Sequence, residues 1–289
     1  SSAEVATRYN AGTPSDPRSL NPIYYLHEGT GADWSGNNHL ATLKSGAEIT
    51  TDVPVYVFNR YSVDFDGIDD YATIADANDL SFGNGSSDSS FSISCWVKAS
   101  DLTSVRFLSK TTSNTDGEWL FATNSLDKLF VYLFDPGNTN RLGAVTVGTL
   151  TSHEDAWLHV AMTYNGSGMW TGIKLYVNGV LQSVVSDNAG SYTAMSNTSA
   201  AVNSGKLAWS SDLYSAFKID EIAIYPSELS AGQITAIYNN GVPADLTSYS
   251  PVGWWRFEEA TGTSITDSSG NGHTATLTNG PTFSSDVPT

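Results

Sequence analysis

The first and last stretches of this 289-residue chain are diverged copies of one another, and this duplication constrains the fold more than any other feature. Val5-Ala6-Thr7-Arg8-Tyr9-Asn10-Ala11-Gly12 aligns with Ile234-Thr235-Ala236-Ile237-Tyr238-Asn239-Asn240-Gly241, which sets Tyr9 against Tyr238 at an offset of 229. Pro22 and Pro251 keep that offset. After a small insertion, Asp33-Trp34-Ser35-Gly36-Asn37-Asn38-His39 matches Asp267-Ser268-Ser269-Gly270-Asn271-Gly272-His273 at an offset of 234, as does Val53-Pro54 against Val287-Pro288. A period of about 230 residues is too long for a solenoid and is the size of one domain strung in series. It predicts a complete unit over 21–245, the tail of a preceding unit over 1–20 and the start of a following unit over 246–289. A two-strand piece carrying Trp254 and Trp255 is marginal in water by itself, so 246–289 is expected to dock on the complete unit.

Within the unit, short runs rich in Val, Ile, Tyr, Phe and Trp alternate with polar residues between Gly, Asn, Asp and Ser turns. That period of two predicts half-buried strands, with good examples at 61–65, 71–74, 91–98, 129–134, 157–164, 173–177 and 217–225. Asn178-Gly179 marks a hairpin, because a type I′ turn needs two residues tolerant of positive φ. One helix is expected, over 227–238, with Ser227 or Ser230 as its cap, Leu229, Ile234 and Ile237 on one face, and Gly241 with Pro243 at its end. About a dozen strands and one short helix predict an all-β, antiparallel two-sheet sandwich.

Charge narrows the partners. Thirty acidic against 13 basic residues leave a net charge of −17, which repels phosphate backbones and anionic lipid. Nucleic acid and membrane insertion are therefore excluded as expectations, and no apolar run approaches the roughly 18 residues of a membrane span. A cation with a preference for oxygen ligands, such as calcium, suits this chain better. The single cysteine, Cys95, lies in the apolar run Phe91-Ser92-Ile93-Ser94-Cys95-Trp96-Val97, so it reads as a core residue with no thiol partner in the chain. Sequons at Asn84, Asn165 and Asn197 would matter only in a eukaryotic secretory route, against which the lack of disulfides argues.

Four segments together carry a resemblance. Val63-Asp64-Phe65-Asp66-Gly67-Ile68-Asp69-Asp70-Tyr71, the run from Phe91 to Val97, the strand over 157–164 followed by Leu175-Tyr176-Val177-Asn178-Gly179, and Ile219-Asp220-Glu221-Ile222-Ala223-Ile224-Tyr225 leading into the helix are similar, in order and spacing, to the laminin-G-like, concanavalin-A-like jelly-roll family. The resemblance implies a jelly roll that binds carbohydrate or protein, often with a calcium ion. Such modules recur in secreted adhesins, as appendages of polysaccharide-degrading enzymes and in phage virion fibres.

Several motifs could carry that chemistry. In Asp33 to Asn37 and its copy Asp267 to Asn271, Asp, amide and backbone oxygens alternate, a pattern that can wrap calcium at about 2.3–2.6 Å or simply bond its own turn. The resemblance places the first loop beside Asp220 and Glu221, which makes Asp33, Asn37, Asp220 and Glu221 the leading metal set, with Asp267 and Asn271 as a second candidate. Asp220-Glu221 interrupts an apolar strand, so one carboxylate faces the core and needs a cation or donors. Asp66 and Asp69, flanking Gly67, are a further candidate pair, or else a solvated polar hairpin. Sugars stack on exposed rings, and Trp119, Trp170 and Trp209 stand near turns, whereas Trp96 and Trp157 read as core. His159 reads as a satisfied structural residue. The paired carboxylates of glycosidases, HExxH and Gly-x-Ser-x-Gly are absent from the sequence, so no catalysis is expected. The expected role is a calcium-supported carbohydrate-binding or adhesive module outside the cell or on a virion, its partner a glycan or surface polysaccharide. The other reading is a structural repeat whose partners are neighbouring copies.

Overall fold

Alternation along each strand decides which side chains meet between the sheets. The computed structural model describes residues 59–289 except 114, 115 and 210–212. In chain order the strands are β1 (Ser62–Asp66), β2 (Tyr71–Ile74), β3 (Phe91–Lys98), β4 (Arg106–Ser113), β5 (Asp116–Thr123), β6 (Leu129–Phe134), β7 (Arg141–Thr146), β8 (Leu158–Tyr164) and β9 (Ile173–Val177). They continue as β10 (Val180–Leu181), β11 (Val184–Ser186), β12 (Val202–Ser204), β13 (Lys206–Leu207), β14 (Leu213–Tyr214) and β15 (Ala216–Tyr225). Helix α1 (Ala231–Tyr238) follows, then β16 (Gly253–Trp255), β17 (Ser264–Ile265), β18 (Ala275–Thr278) and β19 (Thr282–Ser284).

Two antiparallel sheets make a sandwich. One runs β10-β9-β8-β3-β15-β1-β19, with β16 also paired to β15, and the other runs β11-β7-β6-β5-β4-β12-β2-β18-β17. In β6, Leu129, Val131 and Leu133 point into the core, while Phe130, Tyr132 and Phe134 belong to the opposite face. The central core joins Phe91, Ile93, Cys95 and Val97 of β3 to Phe107, Trp119 and Phe121 across the sandwich. At about 1.5–3 kcal/mol for each large apolar side chain removed from water, this layer is the main source of stability.

Local signals set the connections. Asn178 and Gly179 have φ of 48° and 75° and join β9 to β10, as a two-residue hairpin requires. Ser230 caps α1: its hydroxyl accepts from Gln233 N at 3.3 Å, and Gln233 Oε1 accepts from Ser230 N at 2.9 Å. The helix starts later than expected, at Ala231, because Ser230 rather than Ser227 is its cap, and it ends at Tyr238 as expected, where Asn239 takes the left-handed conformation at φ 46°. Helix α1 lays Ile234 and Ile237 on Ala161, Tyr176, Ala223 and Tyr225, so it covers the outer face of the first sheet.

The turn over 66–70 is no hairpin. β1 pairs with β15 and β19, whereas β2 pairs with β12 and β18, so the turn is a corner that carries the chain from one sheet to the other. Gly67 fits there at φ 75°, where a Cβ would come within 2.8 Å of Ala216 N. Residues beyond 245 enter both sheets: β16 pairs with β15, β18 with β2, and β19 with β1. Trp255, Phe257, Ile265, Ala275 and Leu277 of this segment are buried in the central core. Among the described residues, no helix is long and apolar enough to cross a membrane.

Candidate functional site

The conflict in β15 between apolar alternation and Asp220-Glu221 is resolved by a bulge. Phe217 and Ile219 face the central core, the register against β3 shifts between Asp220 and Ala223, and Ile222 and Ile224 then take over the core face. Glu221 absorbs the extra residue at φ 48°. The neighbour on the other side changes at the same point: β15 pairs with β1 up to Ile219 and with β16 from Ile222. Asp220 and Glu221 thus occupy the seam between β1 and β16.

Both carboxylates are buried, 0% and 3% exposed. Glu221 accepts from Trp254 Nε1 at 2.5 Å and from Arg256 Nε at 3.2 Å, and Arg256 lies over the Trp254 ring, 5.3 Å from its centroid. Burial pushes the Glu221 carboxyl up to about 7, with Arg256 pulling the other way. Asp220 Oδ1 accepts from Glu221 N at 2.8 Å, while its Oδ2 has no hydrogen-bond partner. Burial, and then the charge of Glu221, hold Asp220 well above the usual carboxylate range. The cation that faces this acid pair is Arg256, through Glu221.

Beside the seam, Thr247, Ser250, Pro251, Val252, Trp254, Ser268, Ser269 and Asn271 line a cleft of about 350 Å³. Its lining offers hydroxyls, an amide and an indole, and no carboxylate. One wall is the loop that begins at Asp267. Asp267 accepts from the backbone N–H of Trp254, Ser269 and His273 at 3.0, 2.9 and 3.0 Å, and Asn271 Nδ2 donates to Val252 O at 3.0 Å. Burial alone would raise the Asp267 carboxyl, but these donors outweigh it and hold it low. Asp267 and Asn271 close the loop through its own hydrogen bonds, the alternative to metal ligation that Asp and Asn chemistry left open. Asp33 and Asn37 lie outside the described residues.

Among the described residues, two groups of three carboxylates lie close enough to hold an ion. Asp66, Asp69 and Asp70 meet at the corner with their oxygens within 4.8 Å of one another. Asp66 Oδ1 accepts from Ile68 N at 2.8 Å, and burial with the nearby Asp66 and Asp69 charges raises Asp70. Asp101, Asp127 and Glu154 form the second group, and no local motif announced it, because its members come from three separate loops. Asp127 accepts from the hydroxyls of Thr103 and Thr151 at 2.8 and 2.6 Å.

The tryptophans separate. Trp119 is 1% exposed and packs near Phe91 with ring centroids 6.4 Å apart, so it has no face for a sugar; strand alternation in β5 turns it inward. Trp170 is half-buried against the core at the start of a short 3₁₀ turn. Trp209 is half-buried on the outer face of the second sheet, over a patch that includes Leu120, Phe130, Phe134 and Leu207. Nearby, Tyr132 donates to Asp187 and lies under Arg141, whose Cζ is 4.3 Å from the ring centroid. Trp96 is buried, but Trp157 is only half-buried, and its Nε1 donates to Asp286 Oδ1 at 2.9 Å. His159 is buried against Trp96 and Tyr238 with neither ring nitrogen hydrogen-bonded; burial drives it down to about 3, so it is neutral rather than satisfied.

With this geometry in hand, the relationships are clear. The sequence profile of the concanavalin A-like lectin/glucanases superfamily, laminin-G type, matches residues 66–235, and the chain belongs to that family. No curated protein matches the sequence. Among solved structures, a Bacteroides ovatus protein provisionally described as carbohydrate-binding is similar at a TM-score of 0.55 and 17% identity, over 81% of this chain and 62% of that one. A heptameric SAP-like pentraxin from Limulus polyphemus aligns at a TM-score of 0.48 and 11% identity, over 76% of this chain and 94% of the pentraxin. The binding domain of botulinum neurotoxin DC, solved with rat synaptotagmin II, aligns at 0.47 and 17%, over 86% of this chain and 62% of that one. The chain therefore spans less than two thirds of the Bacteroides protein, and the likeness to it is one of fold.

Proposed function

We propose that this domain is a non-catalytic carbohydrate-binding module at an extracellular or virion surface, with its glycan held in the cleft beside Trp254. The observation that carries the reading is the lining of that cleft: four hydroxyl side chains, one amide and an indole in about 350 Å³, room for a sugar residue. Hydroxyls and amides match the alternating donors and acceptors of a sugar ring, while the buried Trp254 indole backs the wall of the cleft. Glycoside hydrolysis needs two carboxyl groups flanking the bond, roughly 5–10 Å apart. The cleft lining has neither; beside it, Glu221 is buried and committed to Trp254 and Arg256, and Asp267 to three backbone N–H groups. Binding without turnover is the chemistry that fits. Calcium belongs to this reading as a structural ion, with the corner acids Asp66, Asp69 and Asp70 as the place best able to take it.

A glycan array, followed by calorimetry on the best ligand, tests the site. Ser268 is exposed, so S268W fills the cleft without touching the core. Affinity is expected to fall at least tenfold in S268W and to survive in W209F. Equal affinity in S268W and the native chain would remove the cleft from the function, and an array without hits would remove the function itself.

A further inference from the structure

We propose that the buried amine of Lys110 condenses with the side-chain carboxyl of Asp76 to form an isopeptide bond, with Glu118 as the acid–base group, so that the second sheet carries a covalent staple. This stands independently of the glycan reading.

Register brings the groups together. Lys110 of β4 lies opposite Val202 of β12, and Val202 lies opposite Ile74 of β2, so the three share one row across the sheet. Asp76 follows the end of β2, and its Oδ1 is 2.7 Å from Lys110 Nζ. Glu118 of β5 reaches the same nitrogen with Oε1 at 2.9 Å. The carbonyls of Ala200 and Thr198 accept from Nζ at 2.7 and 3.3 Å and hold the amine in place.

Charge favours condensation. The side chains of Lys110 and Glu118 are 0% exposed, so one cation faces two carboxylates out of water, and charge there is costly. An amide between Lys110 and Asp76 removes one cation and one anion together. Glu118 keeps donors of its own, the hydroxyls of Ser81 and Thr198 at 3.0 Å each and the Thr198 N–H at 2.8 Å. Its Oε2 is buried without a partner. Burial raises the Glu118 carboxyl, with Lys110 pulling the other way, which suits it to take a proton and give it back. Asp76 is the electrophile, because its side chain is 30% exposed and the released water has a way out, whereas Glu118 is enclosed.

The step balances without a co-reactant. Glu118 takes a proton from the ammonium, and the freed lone pair on Nζ forms a bond to Asp76 Cγ. One Cγ–O bond then breaks, its electron pair stays with the oxygen, and the two protons lost by Nζ, relayed by Glu118, leave with that oxygen as water. Holding both reacting groups in contact can supply an effective molarity of about 10⁵–10⁸ M. The bond would join positions 34 apart, closing a loop as a disulfide does, in a chain whose single cysteine is buried and free.

Intact-mass spectrometry of the denatured native chain tests this directly. The expected mass is about 18 Da, one water, below that of the sequence, and proteolysis should yield a branched peptide joining positions 76 and 110. The deficit should vanish in K110R, which keeps the charge but not the nucleophile, and in D76A, whose site is partly exposed. In E118Q it should form at least a hundredfold more slowly. An unshifted native mass, or a deficit that survives D76A, overturns the proposal, and formation as fast in E118Q overturns the role of Glu118.

Discussion

The domain holds two tight groups of acids that look alike in sequence and behave in opposite ways. Asp220 and Glu221 lie in the β15 seam, out of water, where burial raises both carboxyls and an internal arginine and an indole N–H face Glu221. Asp66, Asp69 and Asp70 lie at the corner between sheets, two of them exposed, with their oxygens within 4.8 Å. Buried acids are neutralised from within, by a proton or a fixed partner. Exposed acids can take a counter-ion from solution. The seam carries a counter-charge of its own in Arg256, whereas two of the corner acids face solvent.

The largest effect should come from breaking the seam. E221A leaves Arg256 and the Trp254 N–H facing an emptied site, and a loss of about 3–5 kcal/mol in urea unfolding is expected. A loss below about 1 kcal/mol would put the buried pair on a level with surface acids. The second effect separates Glu221 from His159 by pH. Glu221 is raised to about 7 in the fold, so its contribution favours the folded state at low pH and declines by about 3 kcal/mol as pH rises from 4.5 to 7. His159 is lowered to about 3, so its contribution is intact above pH 6.5 and is lost as pH falls. Melting profiles should show stability falling more steeply with rising pH in H159L than in E221Q, where Asp220 is the one member of the pair still raised by burial; parallel profiles would contradict both assignments.

The third effect sharpens the corner. Calcium at a hundredfold excess over its dissociation constant should stabilise the domain by about 2.7 kcal/mol, and D66N/D69N should abolish the shift while D101N/D127N leaves it. The reverse pattern would move the ion to the three-loop group of Asp101, Asp127 and Glu154. The smallest effect is at the surface: Lys218 pairs with Asp64 at 2.7 Å with both side chains partly exposed, and K218M should cost under about 1 kcal/mol in the same unfolding assay.

Strands such as β2, β3, β6 and β9 were legible to the residue, because short runs rich in aliphatic and aromatic residues between turn residues mark strands even where, as in β6, alternation is lost. The acid corner was legible as a turn but not as a crossing between sheets, since Asp66-Gly67-Ile68-Asp69-Asp70 serves a hairpin equally well. The place of Glu221 was half legible. An acid in an apolar strand signals a required partner, but the bulge that turns it toward Trp254 and Arg256 depends on where β1 ends and β16 begins. The cleft left no local trace, because its lining comes from 247–254 and 268–271 folded against each other. Trp119 misled because a position near a turn says nothing about which face of β5 it occupies.

Composition, period-two patterning and the duplicated ends by themselves determined an acidic all-β sandwich with a repeated block, because alternation and turn chemistry are local properties of the chain. Only the tertiary structure decided which acids are dry and which are wet, where the cleft lies, and that the C-terminal copy of the repeated block is built into both sheets. Those outcomes depend on residues distant in the chain meeting in one fold, as Trp254 meets Glu221 across 33 positions and Asp286 meets Lys98 across 188, through the pairing of β16 and β19.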